Sequence, residues 1–131
     1  MTSLSDDLIA LLRGRATCHI TTLMPDGSPQ LTLTWVDTDG EQVVVNSVLT
    51  HQKVRNVQRD PRVALAIGDP AQPWSYTQIR GEVVDITTDG AVDHIEALSR
   101  RYTGQPYPWY GGRDQTRVRL LIRADRISAP F

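Results

Sequence analysis

Cysteine is nearly absent from this sequence, and the single residue, Cys18, excludes an intrachain disulfide. We expect Cys18 to be a small core residue, because it lies in a β-rich segment. The three histidines, His19, His51 and His94, share no spacing typical of metal ligands, so the sequence predicts no metal site. Basic and acidic residues number 14 and 15, so the broad basic surface needed for general nucleic-acid binding is also missing.

Long apolar runs are absent as well. None approaches the roughly 20 residues that a transmembrane helix needs, and no basic and apolar leader opens the chain, so we expect a cytoplasmic protein with no membrane partner. The sequence has no P-loop, no glycine-rich dinucleotide motif and no nucleophile elbow. Its 131 residues are enough for one domain, 1–131, with a substantial core.

Apolar patterns bounded by turn residues predict six strands, at 16–23, 30–36, 41–47, 62–67, 75–86 and 117–127. Short turns join the first three strands, which predicts a meander, and Gly81 inside the fifth strand predicts a bulge or bend. Helices are predicted at 3–12, where Ser3 or Ser5 can cap the start, and at 91–102. The sequence therefore predicts a mainly β fold, a small antiparallel barrel with short helices.

The most distinctive segment, 50–63, is a short basic helix that ends at Pro61 and leads into a strand. Val54 and Val57 give the helix a core-facing edge, and Ser47 or Thr50 can cap it. A helix start has free N–H groups and a partial positive charge, and Lys53 lies beside them, so this segment matches a phosphate-binding site. The alternative is a solvated basic helix whose cap only stabilises it.

The strand at 30–36 has two different faces. Leu31, Leu33 and Trp35 share one face, and Gln30 and two threonines share the other. The polar face either meets water or presents hydroxyl and amide groups to a ligand, and the pattern alone leaves both alternatives open.

An irregular aromatic loop follows the last helix and contains Tyr107, Trp109 and Tyr110. Gly111 and Gly112 would allow it to move as a lid over a pocket. The alternative is that the rings close one end of the barrel or fill an interface between subunits.

Several motifs occur in a characteristic order: the turn 26–30, the segment 53–65 that includes Lys53 and Asp60-Pro61-Arg62, Gly81-Glu82-Val83, and the ending Asp125-Arg126-Ile127. This ordered set resembles the flavin and deazaflavin oxidoreductases of the pyridoxamine 5'-phosphate oxidase-like split-barrel superfamily. The loop 102–109 is most similar to that of the small coenzyme F-420-dependent reductases. The resemblance covers almost the whole chain and implies a six-stranded antiparallel split β-barrel that forms a homodimer with cofactor sites between the two subunits.

The resemblance also implies which residues bind the cofactor. The strand from Gln30 lies along the tricyclic ring, the end of the strand at 41–47 lies near the ribityl chain, the basic helix holds the phosphate, and a later segment comes from the partner subunit. The implied cofactor-binding residues are Gln30, Leu31, Thr32, Asn46, Ser47, Thr50, Lys53, Asn56, Trp74, Tyr76 and Gln78.

The cofactor implied is coenzyme F-420, with FMN as the alternative, and the partner is a small hydride acceptor. Many flavin-binding relatives carry an arginine near the position of Gln30, and its absence favours the deazaflavin. Such cofactors do the difficult chemistry themselves, so no catalytic residue is assigned, although His51, Tyr76 and Tyr110 are candidate proton donors. An FMN-dependent oxidase or reductase is the first alternative. The second is a flavin-binding or haem-binding protein without turnover. Pyridoxamine phosphate oxidase activity itself is not expected, because the chain ends just after the last strand.

Overall fold

A computed structural model describes residues 2–128 of the protein. The elements, in chain order, are α1 (Asp6–Leu12), β1 (Thr17–Leu23), β2 (Pro29–Thr34), β3 (Asp37–Thr38), β4 (Val43–Val48), α2 (Gln52–Arg59), β5 (Arg62–Gly68), β6 (Tyr76–Thr87), α3 (Ala91–Thr103) and β7 (Arg117–Ser128). The mainly β prediction is confirmed. Among these elements, no helix combines the length and apolarity that crossing a bilayer requires.

Within residues 2–128 the strands form one antiparallel sheet in the order β2-β1-β5-β6-β7-β4-β3, curled as a half-barrel. It has seven strands instead of the six predicted, because a two-residue strand, β3, lies where a turn was expected. The predicted meander of the first three long strands is wrong, since β4 pairs with β7 and not with β2. All six residues of β4 are buried, so it needs a position beside the long β7, and β2 is left as a free edge.

The core fills the concave side of the sheet, where inward residues of the strands meet α1 and α2. Cys18 is fully buried there, as predicted, and Val54 and Val57 of α2 are also buried. The predicted irregularity at Gly81 is confirmed, because the register between β6 and β7 shifts at this residue. A Cβ atom at Gly81 would lie 1.9 Å from the carbonyl oxygen of Arg123, so only glycine fits.

The helix starts agree only in part with the prediction. The side chain of Ser5 caps α1 by accepting a hydrogen bond from the N–H of Leu8. Neither Ser47 nor Thr50 caps α2: its N-cap residue is His51, whose side chain makes no capping hydrogen bond. Ser47 is unable to cap because it lies inside β4, four residues before His51.

Candidate cofactor and acceptor cleft

A cleft of about 460 Å³ opens beside the free edge of β2. Its walls come from the ends of β1 and β2, from α3 and the loop after it, and from β4 and β7. Four aromatic side chains line it, those of Trp35, Tyr102, Tyr107 and Tyr110. Two arginines also line the cleft, and none of its lining residues within 2–128 carries a carboxylate, so this lining is aromatic and positively charged.

Tyr102 fixes one wall of this cleft. Its ring is stacked on Trp35, with centroids 5.4 Å apart and planes at 11°. Its hydroxyl donates a hydrogen bond to the carbonyl of Ala16 at 2.7 Å and accepts one from the N–H of Val36 at 3.3 Å. Burial raises the pKa of Tyr102, which keeps the phenol in its neutral, donating form. Tyr102 therefore connects α3 to the residue before β1, Ala16, and to the segment after β2, at Val36.

Tyr107 anchors the aromatic loop. Its ring meets Trp109 and Tyr110 edge-on, at centroid distances of 5.5 and 5.7 Å. Its N–H donates to a carboxylate oxygen of Glu96 at 3.0 Å. Tyr110 is 79% exposed, and Trp109 has a φ of 52°, which is uncommon for a residue other than glycine. Tyr107 is thus a fixed part of the cleft, whereas Tyr110 extends toward the surface.

Asn46 and Arg117 form the polar part of the cleft. Arg117 donates two hydrogen bonds to Asn46 Oδ1, from Nε at 2.9 Å and from Nη2 at 2.7 Å. Asn46 Nδ2 donates to the carbonyl of Ala91 at 2.8 Å and lies 3.1 Å from His94 Nδ1. These partners fix the orientation of the Asn46 amide, and they require His94 Nδ1 to be the unprotonated, accepting nitrogen.

Asp37 holds the other side of His94. Its Oδ2 lies 3.0 Å from His94 Nε2, and its Oδ1 accepts a hydrogen bond from Arg101 Nη2 at 2.9 Å. Burial opposes ionisation of Asp37, but hydrogen bonds from His94, from the N–H of Thr38 and from Arg101 outweigh it and lower the pKa of this carboxyl. A continuous polar chain therefore runs from Arg101 through Asp37, His94 and Asn46 to Arg117.

Lys53, the only lysine in the sequence, lies at the start of α2. It is partly buried, and its ammonium has no hydrogen-bond or ion-pair partner among residues 2–128. Burial, and secondarily the positive charge of Arg117, lower its pKa. Burial, Lys53 and Arg117 likewise lower the pKa of His51, so these three basic groups lie close enough to repel one another. The ammonium of Lys53, unpaired within residues 2–128 and placed at a helix start without a side-chain cap, is suited to an anion.

Asn56 and Gln30, two of the predicted cofactor-binding residues, contact each other in the interior of the protein. Asn56 is completely buried, and its Nδ2 donates to Thr22 Oγ1 at 3.0 Å and to Gln30 Oε1 at 3.3 Å. Gln52 donates to Asn56 Oδ1 at 2.8 Å. These bonds join α2 to β1 and β2, which gives Asn56 and Gln30 a structural role in this chain.

In an ordinary surface strand, apolar side chains face inward and polar side chains face the solvent; in β2 this arrangement is reversed. Gln30 and Thr32 face inward, whereas Leu31 and Leu33 are 65% and 68% exposed. The Thr32 hydroxyl is the one buried side-chain oxygen or nitrogen in residues 2–128 without a hydrogen-bond partner. Such an atom is costly unless something bonds to it.

The remaining predicted residues are divided between different surfaces. Thr50 is exposed next to His51, and Ser47 is buried on the core-facing side of β4, opposite to Asn46. Trp74, in the turn before β6, is 75% exposed, and Tyr76, the first residue of β6, is 42% exposed. With Gln78 of the same strand, they lie outside the cleft of their own chain. The fold thus brings together the cleft residue Asn46 and the basic start of α2, but not the segment 74–78.

Comparison with known proteins gives the family. A family model described as pyridoxamine 5'-phosphate oxidase matches residues 4–129. The chain belongs to this family. At the family level, membership supports an oxidoreductase fold that binds a flavin or a deazaflavin, as the sequence motifs predicted.

Solved structures agree with this membership. A structure named as an F-420 reductase is 30% identical over 95% of this chain and 98% of that chain, with a TM-score of 0.82. A conserved hypothetical protein from Mycobacterium tuberculosis is 26% identical over 95% and 82% of the two chains, with a TM-score of 0.68. The General Stress Protein 26 of Bacillus anthracis is 18% identical over 90% and 86%, with a TM-score of 0.66, and shares the fold.

Sequence reasoning missed Arg117 and Tyr102, which line the cleft in this family member. It also missed Asp37 and His94, which belong to the polar chain that ends at Arg117. Arg117 opens a strand in which arginines alternate with apolar residues, and arginines in such a pattern normally face water, yet it is 7% exposed. Asp37 and His94 are 57 positions apart, and no local pattern indicates that they meet. Asp37 is brought there because β3 pairs with β4, and His94 because α3 packs against β4 and β7.

Proposed function

We propose that this protein is a coenzyme F-420-dependent oxidoreductase that transfers hydride to a small, electron-poor organic acceptor. The observation that carries the proposal is the ammonium of Lys53, which has no partner within residues 2–128 and lies at the start of α2, where no side chain caps the helix. A partly buried charge without a partner is unfavourable, and a phosphate at this position would neutralise it. The relative named as an F-420 reductase, at 30% identity, supports the deazaflavin as the bound molecule.

The residues present fit such a cofactor. Lys53, Thr50 and the free N–H groups of α2 would hold the phosphate. The buried hydroxyl of Thr32, which lacks a partner within residues 2–128, would contact the ring from β2. When bound, a reduced deazaflavin supplies a hydride. The protein's part is to bind and orient both reactants and to exclude water from the aromatic cleft.

The cofactor site of this proposal spans two copies of the chain. Leu31 and Leu33 are exposed on a free sheet edge, which is the kind of apolar surface that a second subunit covers. Trp74, Tyr76 and Gln78 lie outside their own chain's cleft, so they would reach a cofactor only from a partner subunit. We therefore propose a homodimer.

An FMN-dependent oxidase or reductase is the second candidate, because the matching family model is named for an oxidase. The side chain at position 30 argues for the deazaflavin. Gln30 is neutral and is already hydrogen-bonded to Asn56, so it adds no positive charge for the phosphate of FMN.

Two fluorescence titrations of the purified protein, one with coenzyme F-420 and one with FMN, test the proposal. We expect tighter binding of F-420, followed by recovery of the absorbance of its oxidised form when acceptors are added to the reduced, bound form. Tighter FMN binding would move the protein to the flavin-dependent branch. Binding without transfer to any acceptor would indicate a carrier, and binding of neither cofactor would overturn the proposed function.

A further inference from the structure

The guanidinium of Arg117 is buried in the wall of the cleft without a carboxylate partner among residues 2–128. The residue is 7% exposed. Three of its N–H groups donate to neutral acceptors: two to Asn46 Oδ1, and one from Nη1 to the Tyr107 hydroxyl at 3.2 Å. A buried positive charge without a negative partner is strongly unfavourable. A site that receives an anion from outside the chain accounts for its presence.

The carboxylate in this polar network, Asp37, contacts other residues and not Arg117. Asp37 accepts from Arg101 and faces His94, and its effect reaches Arg117 only through the neutral Asn46 amide. This chain of contacts keeps Arg117 in one orientation and leaves its charge uncompensated. The cleft is thus preorganised for an anion without being neutralised by the protein.

The walls next to Arg117 are flat and aromatic. Its guanidinium carbon lies 5.2 Å from the centroid of the Tyr107 ring, and the stacked pair of Trp35 and Tyr102 lines the same cleft. Planar conjugated molecules pack well against such surfaces. Arg15, which is exposed at the cleft, is the second charged residue in the lining and is also positive.

We propose that the cleft is the acceptor subsite, and that it selects planar, conjugated acceptors that carry an anionic group, such as a carboxylate or sulfonate, bound by Arg117. This inference rests on the proposed function, in which the acceptor gains a hydride from the reduced cofactor and a proton from water. The cofactor phosphate is assigned to Lys53 and α2, so the two anionic groups have different binding residues.

Two probes test the subsite, naphthalene-2-sulfonate and naphthalene-2-sulfonamide. They share the naphthalene ring system, but the sulfonate is negatively charged and the sulfonamide is neutral. Their affinities are measured by calorimetry on the protein saturated with oxidised coenzyme F-420 and on the cofactor-free protein. We expect the sulfonate to bind at least tenfold more tightly than the sulfonamide in both forms. Arg117→Met should abolish this preference. Arg113→Met, which removes an exposed arginine that contacts Trp109 outside the cleft lining, should retain it.

A second variant covers the case in which Arg117→Met does not fold. Arg117→Lys keeps the charge but loses the planar fork, and we expect the charge preference to fall at least threefold. Equal binding of the two probes to the wild-type protein, or competition between the sulfonate and F-420, would overturn the proposal. If the protein prefers the sulfonate but does not bind F-420, the anion subsite stands and the proposed function fails.

Discussion

Asn56 of α2 donates a hydrogen bond to Thr22 of β1 across 34 positions of sequence, at an Nδ2 to Oγ1 distance of 3.0 Å. Asn56 is completely buried, and Thr22 is 1% exposed. The pair holds the basic helix against the sheet, so the position of Lys53 depends on this buried contact.

Asn56→Ala should lower the free energy of unfolding by about 1–3 kcal/mol, because Thr22 and Gln30 would lose a buried hydrogen-bond partner. Chemical denaturation measures the change. Gln58→Ala is the matched control, since Gln58 lies on the same helix and is exposed. A variant with unchanged stability but weaker cofactor binding would show instead that Asn56 contacts the phosphate.

Lys53→Ala should weaken cofactor binding by roughly 1.5–3 kcal/mol, the range for a hydrogen bond to a charged group. The stability of the cofactor-free protein should not fall, because the ammonium has no partner to lose within residues 2–128. Titration by fluorescence gives the affinity, and thermal melting gives the stability. Arg55→Ala, an exposed change on the same helix, should bind normally. Normal cofactor binding by Lys53→Ala would show that Lys53 does not bind the phosphate.

Lys53 should also be unusually reactive toward amine-acylating reagents. Its pKa is lowered, mainly by burial, so the deprotonated fraction of the amine at pH 8 is larger than for an ordinary lysine. Because it is the only lysine, mass spectrometry after proteolysis reports its labelling directly. We expect bound F-420 to slow the labelling several-fold. An unchanged rate at saturating cofactor would mean that the anion binds elsewhere.

The sequence was sufficient to predict the positions of the six longer strands, the bulge at Gly81 and the buried edge of α2, because these depend on local patterns. It was misleading for the α2 cap, since Ser47 belongs to β4 by tertiary pairing. It gave no sign of Arg117, because an arginine in an alternating strand normally faces water. The motif order identified the family, yet the assembly of the cleft depends on the β4 and β7 pairing, a contact between distant segments.

Asp37→Asn should destabilise the protein at pH 7 by about 1–3 kcal/mol, because hydrogen bonds to an ionised carboxylate are lost. The pKa of Asp37 is lowered from 3.8 in the folded protein, so its stabilising effect is fully present above that value and is lost as the pH falls through the lower folded pKa. The stability difference between wild type and variant should therefore shrink below about pH 4. Denaturation at several pH values measures this, with the exposed Asp85→Asn as control. A difference that is constant with pH would show that the charge of Asp37 does not stabilise the fold.

The double variant Leu31→Glu, Leu33→Glu should convert the proposed homodimer to a monomer. Both side chains are more than half exposed on the free edge of β2, at 65% and 68%, so the changes remove no core contact, but they would place four charges in an interface between two copies. Sedimentation velocity gives the mass, and circular dichroism checks that the fold is retained. Val92→Glu, at a residue of α3 that is 51% exposed, should leave the mass unchanged. Because the proposed cofactor site spans two subunits, the monomer should also bind F-420 at least tenfold more weakly. A wild-type protein that sediments as a monomer, or a monomeric variant with full affinity, would show that one chain forms the site alone.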